Sequence, residues 1–475
     1  MNYEVIIGIE IHLELNTKTK MFSGAPVAFN QTPNTCINEI DLGLPGILPA
    51  VNKEAVKMSL KVCRALNAQI DDLVKFDRKN YYYSDLPKGF QITQQFHPIG
   101  KNGYLDIIVN DKIKRIRINR VHMEEDTAKQ FHNEEGTFID FNRAGTPLIE
   151  IVSEADLRSA EEAMAYVETL RQILYYLAVS DCRMEEGSLR CDVNISLRPY
   201  GYLEYGNKVE VKNLNSLANV KKAVAAEIER QSTILNHGEQ IIQATYRFDE
   251  ASQKTIMMRK KEGTVDYKYF PEPNIPPIKL SKEFISEAID NLPELPSERL
   301  SRYLSTYGLS DYDATVLVSN KEISDFYDIV VQYTSDYKSA CNWLIGDYSA
   351  YLNKQQLEVK DCLVKAEAIA QLIERVNDTT ISSKQAKKVF EAMVDGSMPD
   401  DLIDKLNLRQ ISDDSALLSI ITEVLSTNQQ SVIDYHQGKD RALGFLMGQI
   451  MRASKGSANP SKTNQLLKEE LDKLK

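Results

Sequence analysis

The chain has 475 residues, 43% of them hydrophobic and 26% charged, enough to bury sizeable cores and to divide into two to four domains. No apolar run approaches a bilayer span, no basic-then-apolar leader opens the chain, and six scattered cysteines make no disulfide framework, so it reads as cytoplasmic with no membrane anchor. A net charge of −11 excludes a surface that is basic throughout, yet residues 439–475 carry eight Lys/Arg against four Asp/Glu, which suits either a nucleic-acid contact confined to one module or a solvated helical tail.

In chain order, residues 4–15 predict a strand. Val5, Ile7, Ile9, Ile11, Leu13 and Leu15 share one face, and Glu10, His12 and Glu14 share the other. A solvated face accounts for two charges; two carboxylates flanking an imidazole on so apolar a strand point to a platform for a divalent metal. A helix is expected over 53–68. Residues 75–90 mix cations with aromatics and suit either a nucleic-acid surface or a partly buried loop, with composition favouring the loop. Strands at 104–109 and 112–123 flank Asn110-Asp111, a natural tight turn. Alternation then groups Arg120, His122 and Glu124 and puts Glu125 opposite. The acidic run to Asp126 bends the strand, so spacing leaves open which of Glu124 and Glu125 faces inward.

A helix follows at 160–178, with Ser159 and Glu162 in capping-box spacing. The strand at 188–197 turns Arg190, Asp192, Asn194, Ser196 and Arg198 to its polar face, and that at 208–212 sets Glu210 between Lys208 and Lys212. Another helix is expected at 217–235. Oxygen ligands with an occasional imidazole suit Mg²⁺ or Mn²⁺ better than zinc, and interleaved cations suit the phosphates of a nucleotide. Together these strands describe a phosphoryl-transfer site on an open sheet. Hairpins with interposed helices predict an α+β domain on a mainly antiparallel sheet, and neither GxGxxG nor GxxxxGK[ST] occurs, which excludes Rossmann and Walker phosphate loops. Prolines 271, 273, 276, 277, 293 and 296 mark a linker. Beyond it the pattern is helical, broken at Asp395-Gly396 through Pro399, with a last helical module over 410–475. The domains expected are therefore 1–292, 293–409 and 410–475.

Several segments in order resemble one family. They are Ile7-Gly8-Ile9-Glu10-Ile11-His12, Leu44-Pro45-Gly46, Lys75-Phe76-Asp77-Arg78-Lys79-Asn80-Tyr81, His122-Met123-Glu124-Glu125-Asp126 and residues 140–150. Met184-Glu185-Glu186-Gly187-Ser188-Leu189-Arg190-Cys191-Asp192, Glu210-Val211-Lys212-Asn213-Leu214-Asn215-Ser216, Tyr269-Phe270-Pro271-Glu272-Pro273, Gly448-Gln449-Ile450-Met451-Arg452 and Gly456-Ser457-Ala458-Asn459-Pro460 continue the series. This ordered set resembles the B subunit of the aspartyl/glutamyl-tRNA(Asn/Gln) amidotransferases over essentially the whole chain. The resemblance implies a cradle-like catalytic domain akin to glutamine synthetase, then a helical domain and a tail. It implies a heterotrimer with an amidase-type A subunit, which releases ammonia from glutamine, and a small C subunit. It also implies an ATP- and Mg²⁺-dependent ligase that phosphorylates the side-chain carboxylate of Asp on tRNA(Asn) or Glu on tRNA(Gln), after which ammonia displaces phosphate.

By family motif, metal roles fall on Glu10, His12, Glu124, Glu125 and Glu210, with Asp192 and Asn194 as further nucleotide-site candidates. Glu10, His12, Glu125 and Lys79 carry the catalytic expectation, and Arg190 and Lys212 are candidate phosphate contacts. Lys79, Tyr81 and Lys88 are expected at the ammonia exit; for the lysines, surface salt pairing is the plain alternative. In the tail, Arg441, Arg452 and Lys455 are candidate tRNA contacts, with residues 455–460 as a flexible cationic turn between two helices. Some relatives carry a four-cysteine zinc site; here those positions are Ser23, Ala25, Asn38 and Asp41, so no structural zinc is expected. Ser382-Ser383-Lys384 resembles the residue types of an amidase triad but lacks a Gly-rich serine loop, and a helix cap is the better reading. Two rival functions are a free-standing carboxylate–ammonia ligase, for which the helical extension is unneeded, and a non-catalytic tRNA-binding adaptor, whose surface would not carry bare acids.

Overall fold

A computed structural model describes residues 3–260, 266–411, 413–454 and 456–474. The chain forms two compact units, Met1–Pro296 and Ser297–Lys475.

The first unit begins with strand β1 (Tyr3–Glu14), helix α1 (Lys53–Ala65) and the short strands β2 (Gln69–Ile70), β3 (Leu73–Val74), β4 (Asp77–Asn80) and β5 (Phe90–Thr93). A long hairpin, β6 (Gly100–Val109) and β7 (Lys112–Glu125), precedes β8 (Lys129–Asn133), β9 (Gly136–Asp140) and β10 (Pro147–Ser153). Then come α2 (Ala160–Tyr176), β11 (Leu189–Pro199), β12 (Val209–Leu214), α3 (Leu217–Asn236), β13 (Ala244–Asp249), β14 (Lys254–Lys260), β15 (Phe270–Pro271), β16 (Ile278–Lys279) and α4 (Lys282–Ile289).

Nine strands join in one sheet, ordered β14-β13-β12-β11-β1-β10-β7-β6-β2. Every neighbouring pair is antiparallel except β12–β13, in agreement with the α+β expectation. The alternation of β1 decides its place. Ile7, Ile9, Ile11 and Leu13 are buried to within 1% and share one apolar core with Tyr166, Leu170 and Leu174 of α2, Val220 and Val224 of α3, and Leu60 of α1. One face of the sheet is therefore covered by helices, and the face bearing Glu10, His12 and Glu14 is left for chemistry.

Local signals explain the connections. Asn110 and Asp111 take φ 51° and 59°, the left-handed pair a two-residue hairpin requires. Ser159 caps α2 by accepting from the Glu162 N–H, while the Glu162 carboxylate accepts from Arg158 N rather than closing back on Ser159. The proline-rich stretch is not a free linker: Pro271 pairs with β4, β16 pairs with β3, and α4 packs on α1. Two-residue strands are too short to show periodicity, which is why composition alone misreads them.

The second unit is helical, from Pro296–Ser305 to Pro460–Lys473. Ser382 caps the helix Ser383–Met393 in a full capping box with Gln385, in agreement with its reading as a cap. Residues Leu417, Ile421, Leu446, Ile450, Leu467 and Leu471 of the tail make a core of their own. Between the last two helices the chain is pinned rather than loose: Gly456 N donates to Met451 O at 2.7 Å and Ile411 N to Ser457 O at 2.6 Å. Arg441 and Arg452 are exposed, and Lys455 lies outside the described residues. Among the described residues, no helix is long and apolar enough to cross a membrane.

Candidate active site

Five adjacent strands, β12, β11, β1, β10 and β7, bring their polar side chains to the open face. Register does the placing. Arg190, His12, Glu150 and His122 lie directly opposite one another in a row across β11, β1, β10 and β7. Glu10 faces Asp192, and Asn194 faces Glu210. Side chains opposite one another on antiparallel strands sit about 5 Å apart at Cβ, so these rows make clusters by construction.

Two groups of possible metal ligands result, His12 with Glu124 and Glu150, and Glu10 with Asp192 and Glu210, each with its ligand atoms within 4.8 Å of one another. In the first, His12 Nε2 stands 3.3 Å from Glu150 and 3.7 Å from Glu124, and His122 Nε2 stands 3.2 Å and 3.6 Å from the same two acids. In the second, Asn194 donates to Glu10 at 2.9 Å, and Lys212 Nζ lies 2.5 Å from Asp192 and 3.1 Å from Glu210.

The electrostatics follow from placing acids together under partial burial. Burial, helped by the charges of Glu150 and Asp192, raises Glu10 above the usual carboxylate range. Glu14 is pushed up to about 7 by burial and the neighbouring Asp126. Burial works against a charged ring at His122, but Glu150 and Glu124 outweigh it and lift the imidazole to about 9. His12 is raised by the same two acids, again against burial. Glu150 is held well below the carboxylate range, burial being overcome by the two imidazoles. In both clusters the acids already draw a cation, an imidazolium in the first and the Lys212 ammonium in the second. Oxygen donors with one imidazole fit Mg²⁺ or Mn²⁺, the donor chemistry expected from the sequence.

The open choice between Glu124 and Glu125 resolves in favour of Glu124. On β7 the buried positions pass from Ile116 and Ile118 to Val121 and Met123, so a bulge reverses the alternation and turns Arg120, His122 and Glu124 to the open face. Glu125 falls outside both clusters. It accepts from Lys88 Nζ at 2.5 and 2.6 Å and from Ile92 N at 2.9 Å. Glu150, to which sequence patterning assigns no role, completes the first cluster; its only signal is a lone acid alternating with Leu148 and Val152.

Lys79, Tyr81 and Lys88 stand on the hairpin that β4 and β5 form beside this end of β7, where Thr93 Oγ1 donates to Glu124. Lys79 Nζ lies 4.9 Å from the ring centre of Tyr267 and 5.7 Å from that of Tyr81. Arg190 and Lys212, expected as phosphate contacts, are each drawn to a carboxylate, Arg190 to Asp126 at 2.6 Å. The positions read as lacking zinc ligands form a different clasp. Ser23 Oγ donates to Asp41 at 2.7 Å, Asn38 N donates to the other oxygen at 3.0 Å, and the fully buried Lys20 closes on it at 3.2 Å. Gly145, at φ +83°, lies against this clasp, where a Cβ would meet Asp41 Oδ1 at 3.0 Å.

Comparison with known proteins matches this sequence to a family. Residues 5–286 match the GatB/GatE catalytic domain, and residues 325–471 match the GatB domain. The B subunit of the aspartyl/glutamyl-tRNA(Asn/Gln) amidotransferase of Enterococcus faecalis is 51% identical over 475 residues, all of both chains. The proteins of the same name from Lysinibacillus sphaericus and Geobacillus thermodenitrificans are also 51% identical over the whole of both chains. With the open carboxylate-bearing sheet, the helical second unit and full-length identity of this order, the chain belongs to the B-subunit family of the aspartyl/glutamyl-tRNA(Asn/Gln) amidotransferases.

Proposed function

We propose that this chain is the ATP- and Mg²⁺-dependent subunit that activates the side-chain carboxylate of Asp-tRNA(Asn) or Glu-tRNA(Gln), working in the cytoplasm with an amidase-type A subunit and a small C subunit. The observation that carries the reading is the pair of ligand clusters, His12–Glu124–Glu150 and Glu10–Asp192–Glu210, side by side on one open face. Bound there, ATP and Mg²⁺ supply the phosphoryl group and offset the charge that develops as it moves to the carboxylate, giving ammonia from the A subunit a good leaving group to displace.

The chain's own residues do the rest. Glu124, Glu150 and His12 hold one cation, and Glu10, Asp192 and Glu210 a second. Asn194 fixes the Glu10 carboxylate through its 2.9 Å hydrogen bond. Lys212 offsets part of the second cluster's negative charge, and with a cation held by those acids its ammonium would be available to phosphate. Lys79, among the rings of Tyr81 and Tyr267, holds a positive charge at the rim, where it steers an anionic acceptor.

Purified complex supplied with mischarged tRNA tests this. His12→Ala should abolish tRNA-dependent ATP consumption while the partner's glutamine hydrolysis persists. Wild-type ATP turnover in that variant would overturn the assignment.

A further inference from the structure

Most cations around the two clusters already have a carboxylate. Arg78 closes on Glu272 at 2.6 Å, Lys88 on Glu125 at 2.5 Å, Arg190 on Asp126 at 2.6 Å and Lys212 on Asp192 at 2.5 Å. Arg120 and Lys79 differ. Among the described residues neither side chain meets a carboxylate or donates a hydrogen bond; the Arg120 Nε–H is buried without a partner, as is that of Arg190, whose other nitrogens reach Asp126. A guanidinium donor shut away from water and unpaired costs free energy, and folded proteins retain such groups where something else completes them.

Position says what that is. The bulge in β7 turns Arg120 to the face of His122, two residues on, and its Cα lies opposite Val152, two residues from Glu150. Tyr269 lies within electrostatic reach of both Arg120 and Lys79, and of Glu124. Two cations without a carboxylate partner thus lie within electrostatic reach of one tyrosine that also senses Glu124 of the first cluster. An arginine fork fits two oxygens of one anion, and a lysine adds a point charge, the combination that recognises phosphate.

We infer that Arg120, with Lys79, forms a phosphate-binding clamp at the rim of the His12–Glu124–Glu150 cluster. The clamp rests on the proposed function for its source of phosphate, which is either the polyphosphate tail of the nucleotide or the phosphodiester beside the aminoacylated end of the RNA. It also moves the phosphate contact away from Arg190, whose guanidinium is held by Asp126.

The test uses the assembled complex carrying Arg120→Met and Arg120→Lys. KM is measured separately for ATP and for mischarged tRNA, with melting temperature as control. Arg120→Met should raise one KM about ten- to a hundredfold, the loss expected for a charge-assisted hydrogen bond, and Arg120→Lys should recover part of it. A rise for ATP identifies the nucleotide tail, and a rise for tRNA identifies the RNA phosphodiester. Because Arg120 has no partner to lose, the melting temperature should not fall. Both KM values within twofold of wild type, or a lower melting temperature with unchanged KM, would overturn the clamp. A direct arm stands apart from activity: the full chain is titrated calorimetrically with tripolyphosphate. Wild type should bind it at least tenfold more tightly than Arg120→Met, and equal binding overturns the clamp. A wild-type complex that consumes no ATP in the presence of mischarged tRNA would sink the proposed function, while the tripolyphosphate result would still decide the clamp.

Discussion

Replacing Lys20 by Met removes the cation from a buried clasp and leaves Asp41 charged and 6% exposed. Breaking a buried pair from one side costs about 3–5 kcal/mol, because the remaining charge loses its partner without regaining water. Asp41 keeps its bonds from Ser23 Oγ and Asn38 N, which puts the expected loss at the lower end, about 3 kcal/mol. For a unit of this size that corresponds to about 6 °C in melting temperature. Asp41→Asn in the Lys20→Met background removes the stranded charge and should return the chain to within about 1 kcal/mol of wild type. Scanning calorimetry on the full chain reads the effect. The single tryptophan, Trp343, belongs to the second unit, so its fluorescence marks that unit's transition and identifies the other as the first unit's. A Lys20→Met melting temperature within a degree of wild type would refute the argument that this ion pair holds the loop.

Ile11→Ala opens a cavity behind the strand that carries Glu10 and His12, where Ile11 is fully buried, and should cost about 2–5 kcal/mol by denaturant unfolding. The Ser23–Asp41–Lys20 clasp predicts that purified protein carries no stoichiometric zinc after dialysis against chelator, checked by elemental analysis. Ending the chain near Leu408 should raise the tRNA dissociation constant while ATP–Mg²⁺ binding survives, since the tail has its own core; equal tRNA binding across a salt series would show the tail does not dock RNA. Arg452→Glu in the full chain should weaken tRNA binding more at low salt than at high salt, measured by filter binding.

How much the residues disclose depends on range. The period of β1 is local, so the split between Ile7, Ile9, Ile11 on one side and Glu10, His12 on the other is readable before any fold is known. The bulge between Ile118 and Val121 is not, because its cause is the pairing of β7 with β6 and β10, and it decides that Glu124 rather than Glu125 meets His12. Pairing partners are equally hidden. Nothing in the spacing of Arg190 announces Asp126, sixty-four positions earlier, or says that Lys212 reaches back to Asp192. Glu150 looks like one acid in an apolar run until register sets it between His12 and His122.

The central strand of the great sheet is the first to be synthesised. Among the described residues β1 takes β10 and β11 as its strand partners, with one further bridge from Ile7 to Leu157, so its two edges stay open until the ribosome has made residues 147–199. At roughly 5–20 residues per second, that delay is on the order of ten seconds or more. During it the nascent chain exposes an alternating Val/Ile ribbon without a proline, its charged breaks being Glu4, Glu10 and Glu14, a segment that a holdase can engage. The second cluster also needs Glu210 of β12, which pairs with β11, so no earlier folding intermediate presents both ligand clusters. Slow elongation through residues 15–146 should therefore favour loss of the chain to quality control over release of a half-built sheet.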